Sequence, residues 1–569
     1  MMTHTPETVR PHRWWLEKEI LWLVLIVVLA QVIRLGALSL RGEESRRALI
    51  GVEMLQTGDW LVPTQQHHPV YFRPPLQNWA IAVSTLICGE CNAWAARLPS
   101  VLALLAMTVI LYGYGRSFLS RTGALATAIA YPTMAEVLQL SGQAETEAMF
   151  TLFIGTSLMI WHWGYTCGWS ETATWVGAYI LVALGALTKG TQAPIYFFAT
   201  VCLFLIWQRD WRRLFSWGHL LGLAALAIVM SLWLLPYGLR MGLPATLEIM
   251  GGEASDRFHM RDVSKFVKHV LCFPLETFGC MLPWSLLLFG YCRKEIRSAI
   301  GPARSHVLYF TIAVVISYPT VWFAIDAMTR YWMPMYPCLC PLIGLVVERT
   351  WQTSGSAGSR RWWSLYLGTI GLALVAVLGV ALAGSAHLLP GSWGLQLPVW
   401  QVVLFAGFMS VFLVLLFRNL KRYQEDAVKR AVFALGGCMS VCFAFVFLTV
   451  LINRSVTTEA SVTKVKQIVA DEKLVSLGKV HHLFVFHYQK PVPRIDWPKS
   501  EQELPPDVEY FCFDVCCNQH RKIPFAWEPV AVVNCDRTLR EAPFDQVIVA
   551  RRIPPTLTQQ RQKKRTSQD

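Results

Sequence analysis

Charge is what this chain has least of. Only 15% of its 569 residues are Asp, Glu, Lys or Arg, against roughly 25% in soluble domains, which excludes an ordinary soluble globular protein. The 15 cysteines are scattered, many of them inside apolar runs, with none of the spacing that a zinc site requires. The N-terminal stretch "MMTHTPETVRPHRWWLEKEI" lacks a short apolar core followed by a small-residue cleavage site, so the first apolar run reads as a retained helix and not a removed signal peptide. No internal repeat of fixed period is visible. The net charge of +14 is spread along short loops and forms no single basic patch, which argues against a nucleic-acid partner.

What is abundant is hydrophobic length. Hydrophobic residues make up 54% of the chain and Trp occurs 24 times. Apolar runs of about 20 residues recur throughout, which defines an α-helical polytopic membrane protein. The runs fall near 20–38, 98–115, 122–138, 146–165, 172–188, 191–207, 217–237, 267–290, 307–325, 330–347, 364–386, 399–417 and 431–452, about thirteen helices at the length a bilayer needs. Basic residues gather in alternate connections: Arg10, Arg13 and Lys18; Arg116 and Arg121; Arg209, Arg212 and Arg213; Arg293, Lys294 and Arg297; Arg349, Arg360 and Arg361; Lys421, Arg422, Lys429 and Arg430. The positive-inside rule then puts the N-terminus in the cytoplasm. Two connections, 39–97 and 238–266, are basic although they fall on the outer face. Long loops translocate largely regardless of charge, and basic residues that topology does not require need another reason.

The sequence divides into a transmembrane domain over 1–454, a small α/β domain over 455–555 on the outer face, and a disordered basic tail over 556–569. The α/β reading rests on a helix-like start, "TEASVTKVKQIVADE", followed by the β-like runs "HHLFVFHY", "VEYFCF" and "VAVVN". Cys512, Cys516, Cys517 and Cys535 lie in this part, which leaves a disulfide open.

The loop 39–97 carries the chemistry. It opens with "RGEESRRALIGVEML", Arg41–Leu55, and continues to "VYFRPPLQNW". Apolar residues at helical spacing, and Pro at the start of the second segment, predict two amphipathic helices at the membrane surface. Glu43 and Glu44 stand at the end of a span, where carboxylates are costly unless solvated or paired. Arg73 sits between Phe72 and Pro74-Pro75, one guanidinium projecting from an apolar wall, and Arg suits bidentate phosphate binding. Carboxylates beside such an arginine at the outer face point to chemistry on a lipid-borne phosphate. His67 and His68 lack a third ligand at a recognisable spacing and read as a surface loop.

The segments "GEESRRALIGVEMLQTGDWLVP", "YFRPPLQNWAIA" and "AARLPS" resemble the first outer loop of C-type membrane glycosyltransferases of the protein mannosyltransferase-like family. Among these they are most similar to the bacterial lipid A aminoarabinose transferases. The resemblance continues in order through "ALTKG", "EASDRF" and "TRYWMPMYP", ending at Pro337. It implies transfer of a sugar from a polyprenyl-phosphate donor to lipid A or another envelope glycolipid, at the outer face of a bacterial inner membrane, by a protein working as a monomer among membrane lipids. It implies Arg73 as the donor-phosphate ligand, with Arg257, Tyr331, Arg46 and Lys189 as further candidates. Glu43 would activate or orient the acceptor, and Glu147 would bind sugar or acceptor. Glu44 would serve either catalysis or an ion pair with Arg47. No metal ligands are assigned, and a divalent cation as cofactor stays open.

The chain departs from the family pattern at four places. Glu43 stands for the family's Asp, Arg73 for its Lys, Glu147 for its second-loop acid, and Phe72 for a frequent Glu. Charge is kept at the first three while reach changes. Transfer to protein or to a polyprenyl-linked oligosaccharide is the alternative within the enzyme class. A lipid or sugar flippase is the alternative outside it, disfavoured because the ionisable cluster lies in outer loops and no repeated halves are visible. Alkaline phosphatase fused after Asp569 is expected to be active, and fused near Arg360 inactive; the reverse pattern would refute the span count.

Overall fold

The structure is a computed structural model that describes residues 14–255, 263–298, 300–325, 327–353, 355–454, 458–515, 521–535 and 545–553, with side chains for all of these except 252–255. Arg257 therefore lies outside the described residues. The fold is mainly helical. Among the described residues, seven helices are long and apolar enough to cross a membrane, or eight if the pair Val263–Cys280 and Trp284–Cys292, bent by 109°, forms one span.

The chain divides into two compact units, and the division is not linear. One unit holds Met1–Leu35, Phe72–Pro74 and Ser100–Asn453; the other holds Gly36–Tyr71, Pro75–Pro99 and Arg454–Asp569. The sequence reading put the first outer loop with the membrane helices. In the structure most of that loop clusters with the C-terminal segment, while the three residues around Arg73 cluster with the helices.

In the helical unit, serine starts several helices. The hydroxyls of Ser120, Ser170, Ser216 and Ser356 accept hydrogen bonds from the amides of Gly123, Ala173, His219 and Ser359, satisfying donors that a helix start otherwise leaves open. Helix Trp217–Met241 exposes Leu220, Leu221, Ile228, Leu232, Leu235 and Leu239. Such a face is costly in water and ordinary against lipid chains. Inside, Leu104, Met107, Ile129, Phe150, Trp161, Trp284 and Tyr336 belong to one continuous core.

The second unit is built on a five-stranded mixed sheet. Its strands are β1 (Leu474–Leu477), β2 (Arg494–Ile495), β3 (Tyr510–Asp514), β4 (Trp527–Asn534) and β5 (Gln546–Arg552), in the order β2-β1-β3-β5-β4. Strand β1 runs parallel to β2 and β3, and β5 runs antiparallel to β3 and β4. Strand alternation sends Tyr510 and Cys512 to one core and Phe511 and Phe513 to another, so the sheet is buried on both faces. Among the described residues Cys512 is a buried free thiol, and Cys535 is buried.

"HHLFVFHY" is not a strand. It forms the short helix His482–Tyr488, whose start is capped by His481 Nδ1 accepting from the Leu483 amide at 3.2 Å. Leu483, Phe484, Val485 and Tyr488 are buried together with Val462, Val465 and Val469 of helix Thr458–Val469. Tertiary packing has overridden an aromatic, β-rich local preference.

Helix Glu44–Thr57 joins the same core through Leu49. The loop after it is locked to the sheet through Gln66, whose backbone takes the left-handed region at φ 53°. Glu53 accepts from the Gln66 amide at 2.6 Å and the Thr64 hydroxyl at 2.7 Å. The Gln66 side chain donates to Ser476 Oγ at 2.8 Å and accepts from the Val480 amide at 3.2 Å.

Asp514, at the end of β3, accepts from the His481 amide at 3.2 Å. Burial pushes its carboxyl up to about 7. The folded state therefore holds this proton above the pH at which the unfolded chain releases it, and stability falls as pH rises from about 4 through about 7. Thermal unfolding of detergent-purified Asp514→Asn should show a gain over wild type that grows across that range; a difference independent of pH would refute the assignment.

Candidate functional site

The helical unit encloses a cavity of about 210 Å³ lined by Arg73, Lys189, Gln192, Tyr196 and Tyr331, with Ile195, Ile249, Val321 and Ala324 behind them and the exposed Glu248 at its rim. Lys189 is the last residue of helix Glu171–Lys189. Gly190 then turns the chain at φ +87°, its amide bonded to Ala186 O at 2.7 Å. A Cβ there would overlap the carbonyl oxygen of Met250, so the Lys-Gly pair of "ALTKG" is a geometric unit: only glycine lets the helix stop with Lys189 at the cavity wall.

Lys189 Nζ donates to Glu147 Oε1 at 3.1 Å, with both side chains almost wholly buried. Glu147 stands in the first turn of helix Thr146–Cys167, where the helix dipole favours an anion. The ammonium also lies 5.1 Å from the ring centre of Tyr331 and 5.6 Å from that of Phe150. Arg330 and Arg73 act on Glu147 electrostatically together with Lys189, and Arg330 Nη1 is 3.8 Å from Glu145 Oε1. Three cations thus converge on two buried carboxylates, with Arg73, Lys189 and Tyr331 facing the cavity. The cavity's further polar edge is fixed by Gln192 donating to Tyr196 OH at 2.7 Å, and by Tyr196 and Thr320 hydroxyls at 2.6 Å.

Four of the sequence candidates, Arg73, Glu147, Lys189 and Tyr331, are therefore brought together. Glu145 and Arg330 were missed; the signal available was an ionisable residue bordering an apolar span. Arg330 also lines a second cavity of about 1060 Å³ with Glu136, Cys280, Met439 and Phe443, where Glu136 accepts from the Thr329 and Tyr336 hydroxyls.

The remaining described candidates, Glu43, Glu44 and Arg46, lie in the other unit. Glu43 precedes helix Glu44–Thr57 and pairs with Arg46 at 2.6 Å, its side chain one-third exposed. Glu44 is fully buried and forked onto Arg97, at 2.7 and 2.9 Å. Its partner is Arg97 of "AARLPS", and not Arg47 as helical spacing suggested. His67 and His68 are exposed, and among the described residues no group of three or more His, Cys, Asp or Glu is arranged to hold a metal ion.

A polytopic helical unit with a cationic, apolar-backed cavity agrees with what the sequence matches. Residues 72–234 match the family described as dolichyl-phosphate-mannose-protein mannosyltransferase. The chain is also similar to undecaprenyl phosphate-alpha-4-amino-4-deoxy-L-arabinose arabinosyl transferases. It is 30% identical to one from Pseudomonas aeruginosa PAO1 over 382 residues, covering 66% of this chain and 64% of that protein. It is 26% identical to one from Photorhabdus laumondii over 321 residues, covering 55% and 56%. The match thus spans a little under two thirds of the Pseudomonas relative's length. The fold is similar to the crystal structure of ArnT from Cupriavidus metallidurans bound to undecaprenyl phosphate, with a TM-score of 0.68 and 18% identity over 93% of this chain and 97% of that one.

Removing one partner of a buried ion pair strands the other. Lys189→Met should destabilise the detergent-purified protein by about 3 kcal/mol, and adding Glu147→Gln should recover most of it. Equal melting temperatures for Lys189→Met and wild type would show that the pair is not isolated from water.

Proposed function

We propose that this chain transfers a sugar from a polyprenyl-phosphate donor to lipid A at the outer face of the bacterial inner membrane. The observation that carries the reading is the cavity of Arg73, Lys189 and Tyr331: cationic groups backed by an apolar wall suit an anionic head on a hydrocarbon chain. The similarity to arabinosyl transferases that are named for an undecaprenyl phosphate donor supports the donor class.

In the reaction, the bond between the anomeric carbon and the donor phosphate oxygen breaks, a bond to an acceptor oxygen forms, and polyprenyl phosphate leaves. Arg73 and Lys189 stabilise the charge that builds on the leaving phosphate. Glu147 holds the Lys189 ammonium at the cavity wall, and Arg330 balances Glu147 and Glu145. Tyr331 packs against the ammonium, and Arg257 is a further phosphate ligand. A lipid A phosphate is already ionised and needs no base, so Glu43 orients the acceptor, with Arg46 as its partner. Glu44 is a strut that ties helix Glu44–Thr57 to Arg97. The protein works as a monomer, with about thirteen crossings, a cytoplasmic N-terminus and a periplasmic C-terminal domain.

Arg73→Met and Glu43→Gln should each lower transfer by a factor of about 100 to 1,000 in a mass-spectrometric assay of lipid A. Only Arg73→Met should also weaken undecaprenyl phosphate binding. Arg73→Lys should keep partial activity, since a point charge replaces a fork. Turnover within about threefold of wild type for both Arg73→Met and Glu43→Gln, far short of the loss expected for a missing donor, would overturn the reading.

A further inference from the structure

His482 opens the short helix of the C-terminal domain and is 4% exposed. Its Nδ1 lies 2.7 Å from the Ser45 hydroxyl, and its Nε2 lies 4.0 Å from Glu43 Oε1. These residues belong to the same compact unit. Burial, aided by His481, Arg46, Lys479 and Arg47, holds the imidazole well below its ordinary pKa, so it is neutral near pH 7. A neutral imidazole carries one N–H. With the proton on Nδ1, the Nε2 lone pair would face the Glu43 carboxylate. The Ser45 hydroxyl has one proton and two acceptors in reach, His482 Nδ1 at 2.7 Å and the Gly42 carbonyl oxygen at 3.4 Å; given to the nearer Nδ1, it leaves the N–H on Nε2, on the side of that carboxylate. The second arrangement is electrostatically favoured, and a ring nitrogen's partner decides which tautomer is present.

Glu43 is thus approached from two sides. Arg46 reaches Oε2 at 2.6 Å, and His482 Nε2 faces Oε1 at 4.0 Å. One-third of the Glu43 side chain stays open. At 4.0 Å the contact is longer than a hydrogen bond, and a neutral imidazole there biases the carboxylate's direction without cancelling its charge, which a second close cation would do.

We propose that His482, its tautomer fixed by Ser45, is a positioning residue that aims Glu43 at the acceptor. This rests on the reading of Glu43 as the acceptor-orienting group. It gives the C-terminal domain, which carries none of the family-like motifs, a direct part in transfer: the domain supplies the group that sets the direction of a carboxylate on the first loop.

The test uses the full-length protein in proteoliposomes, with undecaprenyl phosphate-α-4-amino-4-deoxy-L-arabinose as donor and lipid A as acceptor. His482→Leu should lower kcat by about tenfold, less than the roughly hundredfold that a group acting directly contributes, with donor KM and undecaprenyl phosphate binding unchanged. His482→Gln, which keeps an N–H on a planar side chain, should restore kcat to within about threefold of wild type. In a Glu43→Gln background, His482→Leu should cost nothing further, because the histidine acts through that carboxylate. Independently of any substrate, ¹⁵N NMR of histidine-labelled protein should show His482 as the Nε2–H tautomer in wild type and as a mixture in Ser45→Ala. Wild-type turnover in His482→Leu, a loss that Gln does not rescue, additive losses in the double variant, or an Nδ1–H tautomer in wild type would each overturn the proposal. Wild-type turnover in Glu43→Gln would instead overturn the role of Glu43 itself.

Discussion

The pair between Lys189 and Glu147 organises the helical unit's site. Two opposite charges taken out of water are expensive to bury, and their mutual attraction offsets the cost only when geometry is good and nearby polar groups help. Here the cation ends one helix and the anion begins another, so each helix terminus carries the charge its dipole favours. The glycine that follows Lys189 allows the close approach. Arg330 and Arg73 add positive charge around the same carboxylate, and the result is a cavity wall with cations held in place before any ligand arrives. Preorganised charge of this kind costs no reorganisation when a leaving group develops its own charge.

The second unit solves a different problem. A carboxylate on a surface loop is free to point in many directions, and its usefulness depends on what restricts it. Glu43 sits at the start of a helix that is anchored by the Glu44–Arg97 fork, by Leu49 in the core of the sheet and by the Glu53–Gln66 network. The loop's backbone is therefore ordered by a domain that lies at the other end of the sequence.

Much of this was legible from the residues, and the gaps have physical causes. Long apolar runs announce membrane helices because a bilayer selects on length and hydropathy alone. Runs such as "VEYFCF" and "VAVVN" read as strands because they are short, rich in aromatic or β-branched residues and broken by Pro and Asp. "HHLFVFHY" misled because a run apolar on every side has no period to read, and only packing against Val462, Val465 and Val469 decides it. Arg73 was found from charge placed where topology does not need it, and Lys189, Glu147 and Tyr331 from the resemblance alone. That Lys189 meets Glu147 was not legible, since 42 positions separate them and no local rule pairs the end of one helix with the start of another. Arg97 was missed for the same reason: helical spacing offered Arg47, and the partner came from a different helix.

The locking of Gln66 to Ser476 spans 410 positions of sequence, and this has a consequence for biogenesis. At a synthesis rate of about 5–20 residues per second, the loop waits roughly 20–80 s for the strand that receives its side chain. During that interval Glu53 and Gln66 are hydrated, Leu49 lacks its core, and the helix after Glu43 is held by its own fork alone. The unit closes only after the last membrane helix has been made. Order in this loop therefore waits on synthesis of the sheet, and a nascent chain interrupted earlier carries the loop's residues without the surroundings that order them.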